Sequence, residues 1–149
     1  MGAFVFTELT QSPESMQTES ACLGVDASNK LTDNDKGKAV KIAASNTFVL
    51  CATTDEIEAI LVSTEPVTYN DGFAFGTVQR RGRAMATVGA NQAGSIAVGD
   101  LVVADTQAAI DTAGGLVVRS GSPTTFLWRC IRVVSGTGAT GDTVLIERV

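Results

Sequence analysis

From Lys38 to Val149, clusters of Gly, Asn, Asp and Ser interrupt the chain roughly every ten residues. The runs between these clusters are short and rich in Ala, Val and Thr, and only 5% of the residues are aromatic. A strand needs about five residues, whereas an average helix needs about eleven. The punctuation therefore predicts an all-β fold of short strands, as in sandwiches and barrels.

Nine strands follow from this pattern. The clearest alternation places Phe126, Trp128 and Cys130 on one face of a strand, and the opposite face carries Leu127, Arg129 and Ile131. We predict strands over residues 39–43, 47–52, 57–63, 73–78, 83–88, 100–104, 116–118, 126–134 and 143–149. Two helical alternatives compete with this prediction: a short helix within 53–62 with Thr54 as N-cap, and a weaker one over 104–109.

The N-terminal part of the chain has a different composition. Residues 1–29 contain four acidic residues and no Lys or Arg, and the polar stretch after Phe4, Val5 and Phe6 has no clean period. Such a segment buries too little apolar surface to offset its ordering entropy. We predict an extended acidic arm and link over residues 1–37, followed by the β domain over 38–149. The arm either docks through Phe4, Val5 and Phe6 on a neighbour, or Phe4 and Phe6 add an edge strand to the chain's own barrel.

The side-chain inventory argues against catalysis. The chain has no histidine, and its carboxylates sit mostly in turns, where Asp commonly bonds the nearby backbone. Those aspartates are Asp55, Asp71, Asp100, Asp105, Asp111 and Asp142. The sequence therefore lacks the histidine that most often serves as a general acid or base. A phosphate-binding glycine motif is also missing. We therefore expect a protein that is not an enzyme and that uses no cofactor and no metal.

Three cysteines, Cys22, Cys51 and Cys130, share no short spacing. Without histidine they do not make a Cys/His zinc site, and their odd number fits free thiols in a reducing compartment. A basic signal-peptide start and an apolar run long enough to cross a membrane are both missing from the sequence. We expect synthesis in a cytosol, with no membrane partner.

The charge of the chain restricts the classes of partner that it can bind. A net charge of −5 argues against a nucleic-acid binder, which needs a basic footprint. Charged residues make up only 18% of the chain, which suggests that a partner covers part of its surface. Arg80, Arg81 and Arg83 form the one basic cluster of the sequence. They are either a solvated strand end or a docking patch for an acidic surface.

Three segments together carry a resemblance to a known family. They are Gly94-Ser-Ile-Ala-Val-Gly-Asp-Leu-Val-Val103, then Gly114-Gly-Leu-Val-Val118, then two closing strands, 127–134 and 143–149, around Gly141-Asp142. This arrangement resembles the small β-barrel decoration proteins, also called cement proteins, of tailed-bacteriophage capsids. In that family an Ala-x-Gly-Asp-x-Val step commonly introduces a strand. The resemblance covers roughly residues 38–149.

The resemblance implies a small β-barrel or tulip-like domain of short antiparallel strands. It also implies a virion structural protein that stabilises the capsid shell from outside. Its partners would be the major capsid protein and two further copies in a homotrimer, assembled in the host cytoplasm. The family supplies no catalytic residues. Two other classes stay open at this point: a phage tail or fibre domain that binds host glycan, and a trimeric β enzyme, which the missing histidine disfavours.

Overall fold

The computed structural model of the protein describes residues 17–24, 30–43, 46–65 and 74–149. These residues form β-strands and one 3₁₀ helix, Asp33–Asp35, so the predicted all-β class is confirmed. In chain order the strands are β1 Gln17–Gly24, β2 Ala39–Ile42, β3 Phe48–Leu50, β4 Ala59–Thr64, β5 Ala74–Arg81, β6 Arg83–Val88, β7 Leu101–Ala104, β8 Val117–Ser120, β9 Trp128–Val133 and β10 Thr143–Arg148.

The first five strands form an antiparallel sheet in the order β1-β5-β4-β2-β3. β1 and β3 stand at opposite ends of this order and yet lie against each other, so the sheet curls around its own core. Alternate residues of the strands point into this core. Its buried apolar side chains are Ala21, Leu23, Leu31, Val40, Phe48, Ala59, Leu61, Ala74 and Val78.

The last five strands close into a barrel in the order β10-β6-β8-β7-β9. Neighbouring strands run antiparallel except β6 and β8, which run parallel. Trp128 on β9 is fully buried inside, and its indole Nε1 donates a hydrogen bond to the carbonyl oxygen of Ile57 at 2.9 Å. Closure leaves this sheet without free edges, which removes the usual sites of edge-to-edge association.

The sheet and the barrel share one strand path, and some side chains of the first half belong to the barrel core. β5 runs into β6 through Gly82, whose φ of +103° is a conformation that glycine adopts without steric cost. Ala39, Cys51, Ile57 and Ile60 from the first half pack in the same buried cluster as the barrel side chains. The two β units are therefore parts of one cooperative body rather than separate modules.

Turns with the pattern Ala-x-x-Asp recur at 52–55, 97–100 and 139–142. In each turn the aspartate carboxylate accepts a hydrogen bond from the alanine N–H, at 2.6, 2.8 and 3.0 Å respectively. The aspartate N–H in turn donates to the alanine carbonyl at 3.1, 3.1 and 2.9 Å. Gly99 and Gly141 occupy the third position of two of these turns with φ of +99° and +88°, which favours glycine. The prediction that these aspartates serve turns is confirmed.

Both helical alternatives are wrong. Thr54 is not an N-cap: its φ is +74° and it lies in a turn, and the strand β4 begins at Ala59. Residues 105–109 follow β7 as irregular chain, in which the Asp105 N–H donates to the carbonyl of Val117. Within the first of these segments, Glu56 binds a distant loop at Thr124. That tertiary contact overrides the local helical preference.

The assignment of residues 1–37 to an arm and link is wrong for the part that the structure describes. Gln17–Gly24 is strand β1, paired with β5 from Gln17–Arg81 to Gly24–Ala74, and Leu31 is buried in the core of the first sheet. The backbone ladder of β5 and the burial of alternate side chains stabilise a segment that is weakly apolar by itself.

Replacing Leu23 tests whether β1 is an integral strand. Because Leu23 is fully buried in the core of the first sheet, Leu23→Ala is expected to lower the free energy of unfolding by about 2–5 kcal/mol. Urea titration followed by Trp128 fluorescence measures this difference. The exposed Thr18 on the same strand is the control, and Thr18→Ala should cost less than about 0.5 kcal/mol. Equal stability of the two variants would exclude β1 from the core.

Candidate functional site

Arg80, one of the predicted docking residues, is built into the first sheet. Its Nε lies 2.6 Å from Oε1 of Glu19 on β1, and its Nη1 lies 3.0 Å from Oε1 of Glu58. The guanidinium carbon also lies 5.6 Å from the centre of the Phe48 ring. Burial lowers the pKa of Arg80, but hydrogen bonds to Glu19 and Glu58 outweigh burial and leave the pKa above its ordinary value. Arg80 thus joins β5 to β1 and to the segment before β4.

The other two predicted arginines have different surroundings. Arg81 is exposed at the end of β5, in register with Gln17. Arg83 begins β6, and its Nε lies 3.3 Å from Oε1 of Glu147 on β10. The guanidinium groups of Arg80 and Arg83 therefore have carboxylate partners in their own chain, and the docking role of the cluster stays a prediction.

Phe4, Val5 and Phe6, the apolar part of the predicted docking element, lie outside the described residues. Asp71, one of the predicted turn aspartates, does as well. Their predicted roles stay predictions.

Arg148, near the end of β10, was not singled out from the sequence. Its Nη1 donates to the carbonyl oxygens of Glu58 and Arg80, each at 3.3 Å. Its guanidinium carbon lies 4.9 Å from the centre of the Phe126 ring and 6.0 Å from that of Trp128. Burial, followed by repulsion from neighbouring arginines, lowers the pKa of Arg148. This side chain fixes the barrel to the first sheet, and its position near the chain's end gave no signal of that role.

Glu56 binds three consecutive backbone N–H groups of the loop between β8 and β9. Oε1 accepts from the N–H of Thr124 at 2.6 Å and from its hydroxyl at 3.0 Å, and Oε2 accepts from the N–H groups of Thr125 and Phe126 at 2.9 and 2.8 Å. These hydrogen bonds, led by that from Thr124, lower the pKa of Glu56 to about 2. The carboxylate acts as a fixed anion that holds this loop against the first half of the chain.

A fully buried ion pair joins Lys38 to Asp35. Lys38 Nζ lies 2.6 Å from Asp35 Oδ1 and also donates to the carbonyl of Ala109 at 2.9 Å. Asp35 accepts further hydrogen bonds from the N–H of Asp111 at 3.0 Å and from the N–H of Thr32 at 2.8 Å. A buried pair of this kind is tolerated because its remaining polar atoms are hydrogen-bonded. It ties the segment before β2 to the loop between β7 and β8.

Asp111 completes this junction from the other side. Its φ of +61° turns the loop toward Thr32 and Asn34, and its Oδ1 accepts from the Thr32 hydroxyl at 2.6 Å and from Asn34 Nδ2 at 3.0 Å. The hydrogen bond from Thr32, followed by that from Asn34, lowers the pKa of Asp111. The predicted turn aspartate is therefore part of a long-range contact.

Two further buried polar side chains follow β7. Asp105 Oδ1 accepts from Asn91 Nδ2 at 2.6 Å and from the Thr106 N–H at 2.7 Å. Burial raises the pKa of Asp105, but hydrogen bonds from Asn91 and Thr106 outweigh it and leave the pKa below its ordinary value. Gln107 donates to the Asp105 carbonyl at 2.8 Å and accepts from the Ala39 N–H at 3.3 Å, which links the barrel to β2.

The three cysteines are free thiols, as predicted. Cys51 and Cys130 are buried, and burial raises the pKa of Cys51 to about 12 and that of Cys130 above its ordinary value. Both thiols therefore stay protonated and weakly nucleophilic at neutral pH. Across the described part of the chain, no group of three or more His, Cys, Asp or Glu side chains is placed to hold a metal ion.

The surface offers a cavity and scattered apolar side chains. A cavity of about 400 Å³ lies where Leu31 and Thr64 border the start of β5, and its mouth carries charges of both signs from Lys30, Asp33 and Glu65. The most exposed large apolar side chains among the described residues are those of Val98, at 65%, and Val149, at 63%.

Among the described residues, no helix is both long and apolar enough to cross a membrane. Comparisons with protein-family models, with curated proteins and with solved structures found no match to this chain.

Two lysines give a matched test of the buried ion pair. Lys36 and Lys38 each face an aspartate three residues earlier at 2.6 Å, but the pair of Lys36 with Asp33 is largely exposed. Lys38→Met is expected to lower the free energy of unfolding by about 3–5 kcal/mol, because Asp35 stays buried without its cation. Lys36→Met should cost less than about 1 kcal/mol. Chemical unfolding of both variants decides the point, and similar costs would contradict the role assigned to the pair.

The low pKa of Glu56 predicts how stability responds to pH. Because the folded-state pKa of about 2 lies below the ordinary value of 4.5, the carboxylate contributes stability that is fully present above pH 4.5 and lost as the pH falls toward 2. Glu56→Gln replaces one acceptor oxygen with an NH₂ group facing N–H donors. Allowing for partial solvent screening, we expect it to cost about 1–2 kcal/mol at neutral pH.

The difference between wild type and Glu56→Gln should shrink as the pH is lowered through this window. Urea unfolding at neutral pH and at a series of acidic values measures it. Glu65→Gln, at an exposed position, is the control and should leave the pH profile of the wild type unchanged. A cost of Glu56→Gln that is the same at every pH would contradict the assignment.

Proposed function

We propose that this chain is a structural protein of a tailed-bacteriophage virion, which binds the outside of the capsid and stabilises the shell. The observation that carries the proposal is the use of four charged side chains to fix loops. Asp35, Lys38, Glu56 and Asp105 each fix a loop to a distant strand or loop through several hydrogen bonds. Such a pattern favours a rigid body whose surface acts, rather than a site where chemistry occurs.

Rigidity suits a protein that acts by binding. A cement protein shifts assembly toward the complete shell by mass action, because it binds the assembled lattice and not the free subunits. A body whose loops are already fixed loses little conformational entropy when it docks, so more of the contact energy appears as affinity. The Gly-Asp turns before β7 and β10 are also the features on which the resemblance to decoration proteins rests.

The proposed partners are the major capsid protein and two further copies of the chain. Val98 and Val149 expose apolar surface, and only 18% of the chain is charged, so contacts with neighbours have apolar side chains to bury. The homotrimer comes from the family resemblance alone. Assembly would take place in the host cytoplasm, on the completed shell.

The glycan-binding alternative has less support. Sugar sites usually stack on exposed aromatic rings, and the single Trp of the sequence, Trp128, is fully buried with its indole N–H bonded to Ile57. Phe126 is half-buried beneath Arg148. Neither ring presents an open face for a sugar.

Binding to shells tests the proposal directly. The chain is titrated onto shells made from the major capsid protein encoded in the same phage genome, and the shells are sedimented. We expect the chain to co-sediment to a saturable ratio and to raise the temperature at which the shells fall apart. An unrelated β-barrel protein of similar size is the control. A chain that stays in the supernatant at all concentrations and leaves shell stability unchanged contradicts the proposal. Light scattering reports separately whether the free chain has one or three times the mass of 15.4 kDa.

A further inference from the structure

The loop between β7 and β8 contains a segment in which every residue is exposed. This segment, residues 109–115, follows the buried Gln107 closely and ends just before the buried Leu116. We call residues 109–115 the strap. Its one large apolar side chain, that of Ile110, is 38% exposed. Apolar burial therefore contributes little to holding the strap in place.

Hydrogen bonds of Asp111 hold the strap against the segment before β2. Oδ1 of Asp111 accepts from the Thr32 hydroxyl at 2.6 Å and from Asn34 Nδ2 at 3.0 Å. The backbone N–H of Asp111 donates to both carboxylate oxygens of Asp35, at 3.0 and 3.1 Å. Its φ of +61° is a conformation that Asp and Asn adopt more readily than other non-glycine residues. Asp111 is therefore the main point of attachment of the strap.

The strap covers the buried end of the Lys38 side chain. The carbonyl oxygen of Ala109 accepts from Lys38 Nζ at 2.9 Å, and a Cβ atom at Gly114 would lie 3.7 Å from Lys38 Cε. Lys38 and its partner Asp35 are each 0% exposed, although the residues of the strap are open to water. The exclusion of water from this ion pair therefore depends on the strap.

Opening of the strap would return water to the ion pair. The hydration that two charges lose on burial can exceed the attraction between them. Access of water recovers part of that hydration, while Lys38 and Asp35, which are three residues apart in the chain, stay paired. Water can also replace the hydrogen bonds that the strap loses, because the strap lies at the surface. Opening therefore costs less free energy than unfolding of the whole protein.

Both ends of the strap are fixed to the body of the protein. Gln107 Nε2 donates to the carbonyl oxygen of Val117 at 2.7 Å, and Leu116 is only 3% exposed. Directly before Leu116 the strap ends in Gly114 and Gly115, and glycines permit large changes of the backbone angles. These contacts and this glycine pair confine the movement to the strap itself.

We propose that the strap is a hinged cover, which opens while the rest of the protein stays folded and thereby exposes the ammonium group of Lys38. In the open form Asp111 has lost its contacts with Thr32 and Asn34. The open form is the minor population, because the closed form has the full set of hydrogen bonds. The proposal does not depend on capsid binding, and either can fail without the other.

Acetylation of lysines in the full, folded chain measures the opening. The initial rate at each lysine, with an N-hydroxysuccinimide ester, is divided by its rate in the urea-denatured chain, and peptide mass spectrometry locates the sites. Alkylation of Cys130, which is 0% exposed in the barrel core, reports global unfolding in the same way. We expect Lys38 to be protected about tenfold or more relative to the exposed Lys36, and about a hundredfold or more less than Cys130.

Two results of this comparison overturn the proposal. If Lys38 is protected as strongly as Cys130, the ion pair meets water only when the whole protein unfolds. If Lys38 reacts as fast as Lys36, the strap does not cover it.

Leu23→Ala separates local opening from global unfolding, because Leu23 lies in the core of the first sheet, away from the strap. This variant should raise the rate of Cys130 alkylation about thirtyfold or more and leave the rate of Lys38 acetylation unchanged. Low, non-denaturing urea makes the same distinction in the wild type. An equal rise at Lys38 and Cys130 in either experiment overturns the proposal.

Two substitutions in the strap should shift the opening in opposite directions. Asp111→Gly tolerates the positive φ but removes the carboxylate, and should raise Lys38 acetylation about tenfold. Gly115→Ala should lower it about twofold to fivefold, because the methyl group fits the closed form, with no atom within 4 Å, but restricts the open one. Thr112→Ala, at an exposed position of the strap, is the control and should leave the rate unchanged. Equal rates in the three variants overturn the proposal.

Discussion

The buried contact between Lys38 and Asp35 is the interaction on which the relation between the two halves of the protein depends. Neither charge reaches water, so each must keep its partner, and a separation of the two would leave an uncompensated ion in the interior. The same carboxylate receives the Asp111 N–H and the same ammonium donates to Ala109, so the loop between β7 and β8 is held at the entrance to β2. Gln107 adds a second bridge to β2 from that loop. The first sheet therefore joins the barrel in one arrangement, because any other arrangement would break several buried polar contacts at once.

Elsewhere in the described chain, acidic side chains stabilise the loops between the strands by accepting hydrogen bonds. Long connections between short strands leave many backbone N–H groups without a strand partner, and such groups need acceptors when they are buried. Acidic side chains meet this need at several points: Glu56 for three N–H groups of one loop, and the aspartates of the Ala-x-x-Asp turns for one or two N–H groups each. The acidic composition of the chain is thus partly explained by the loop N–H groups that these carboxylates bind. The loops become firm parts of the body, which is the property that the proposed function requires.

The sequence by itself determined the parts of this protein that depend on neighbours in the chain. The spacing of turn residues predicted the nine strands from β2 to β10, and the alternation around Trp128 predicted that its segment is a strand. Asp100 and Asp142 were assigned to turns. These features act over a few residues. Only the tertiary structure decided that Gln17–Gly24 is a strand and that Arg148 joins the halves. A weakly apolar segment becomes a strand when β5 supplies its hydrogen bonds. Contacts between residues that are tens of positions apart leave no periodic pattern in the sequence. Closure of the barrel has the same origin, because strand order is set by which edges can pair and not by any local preference.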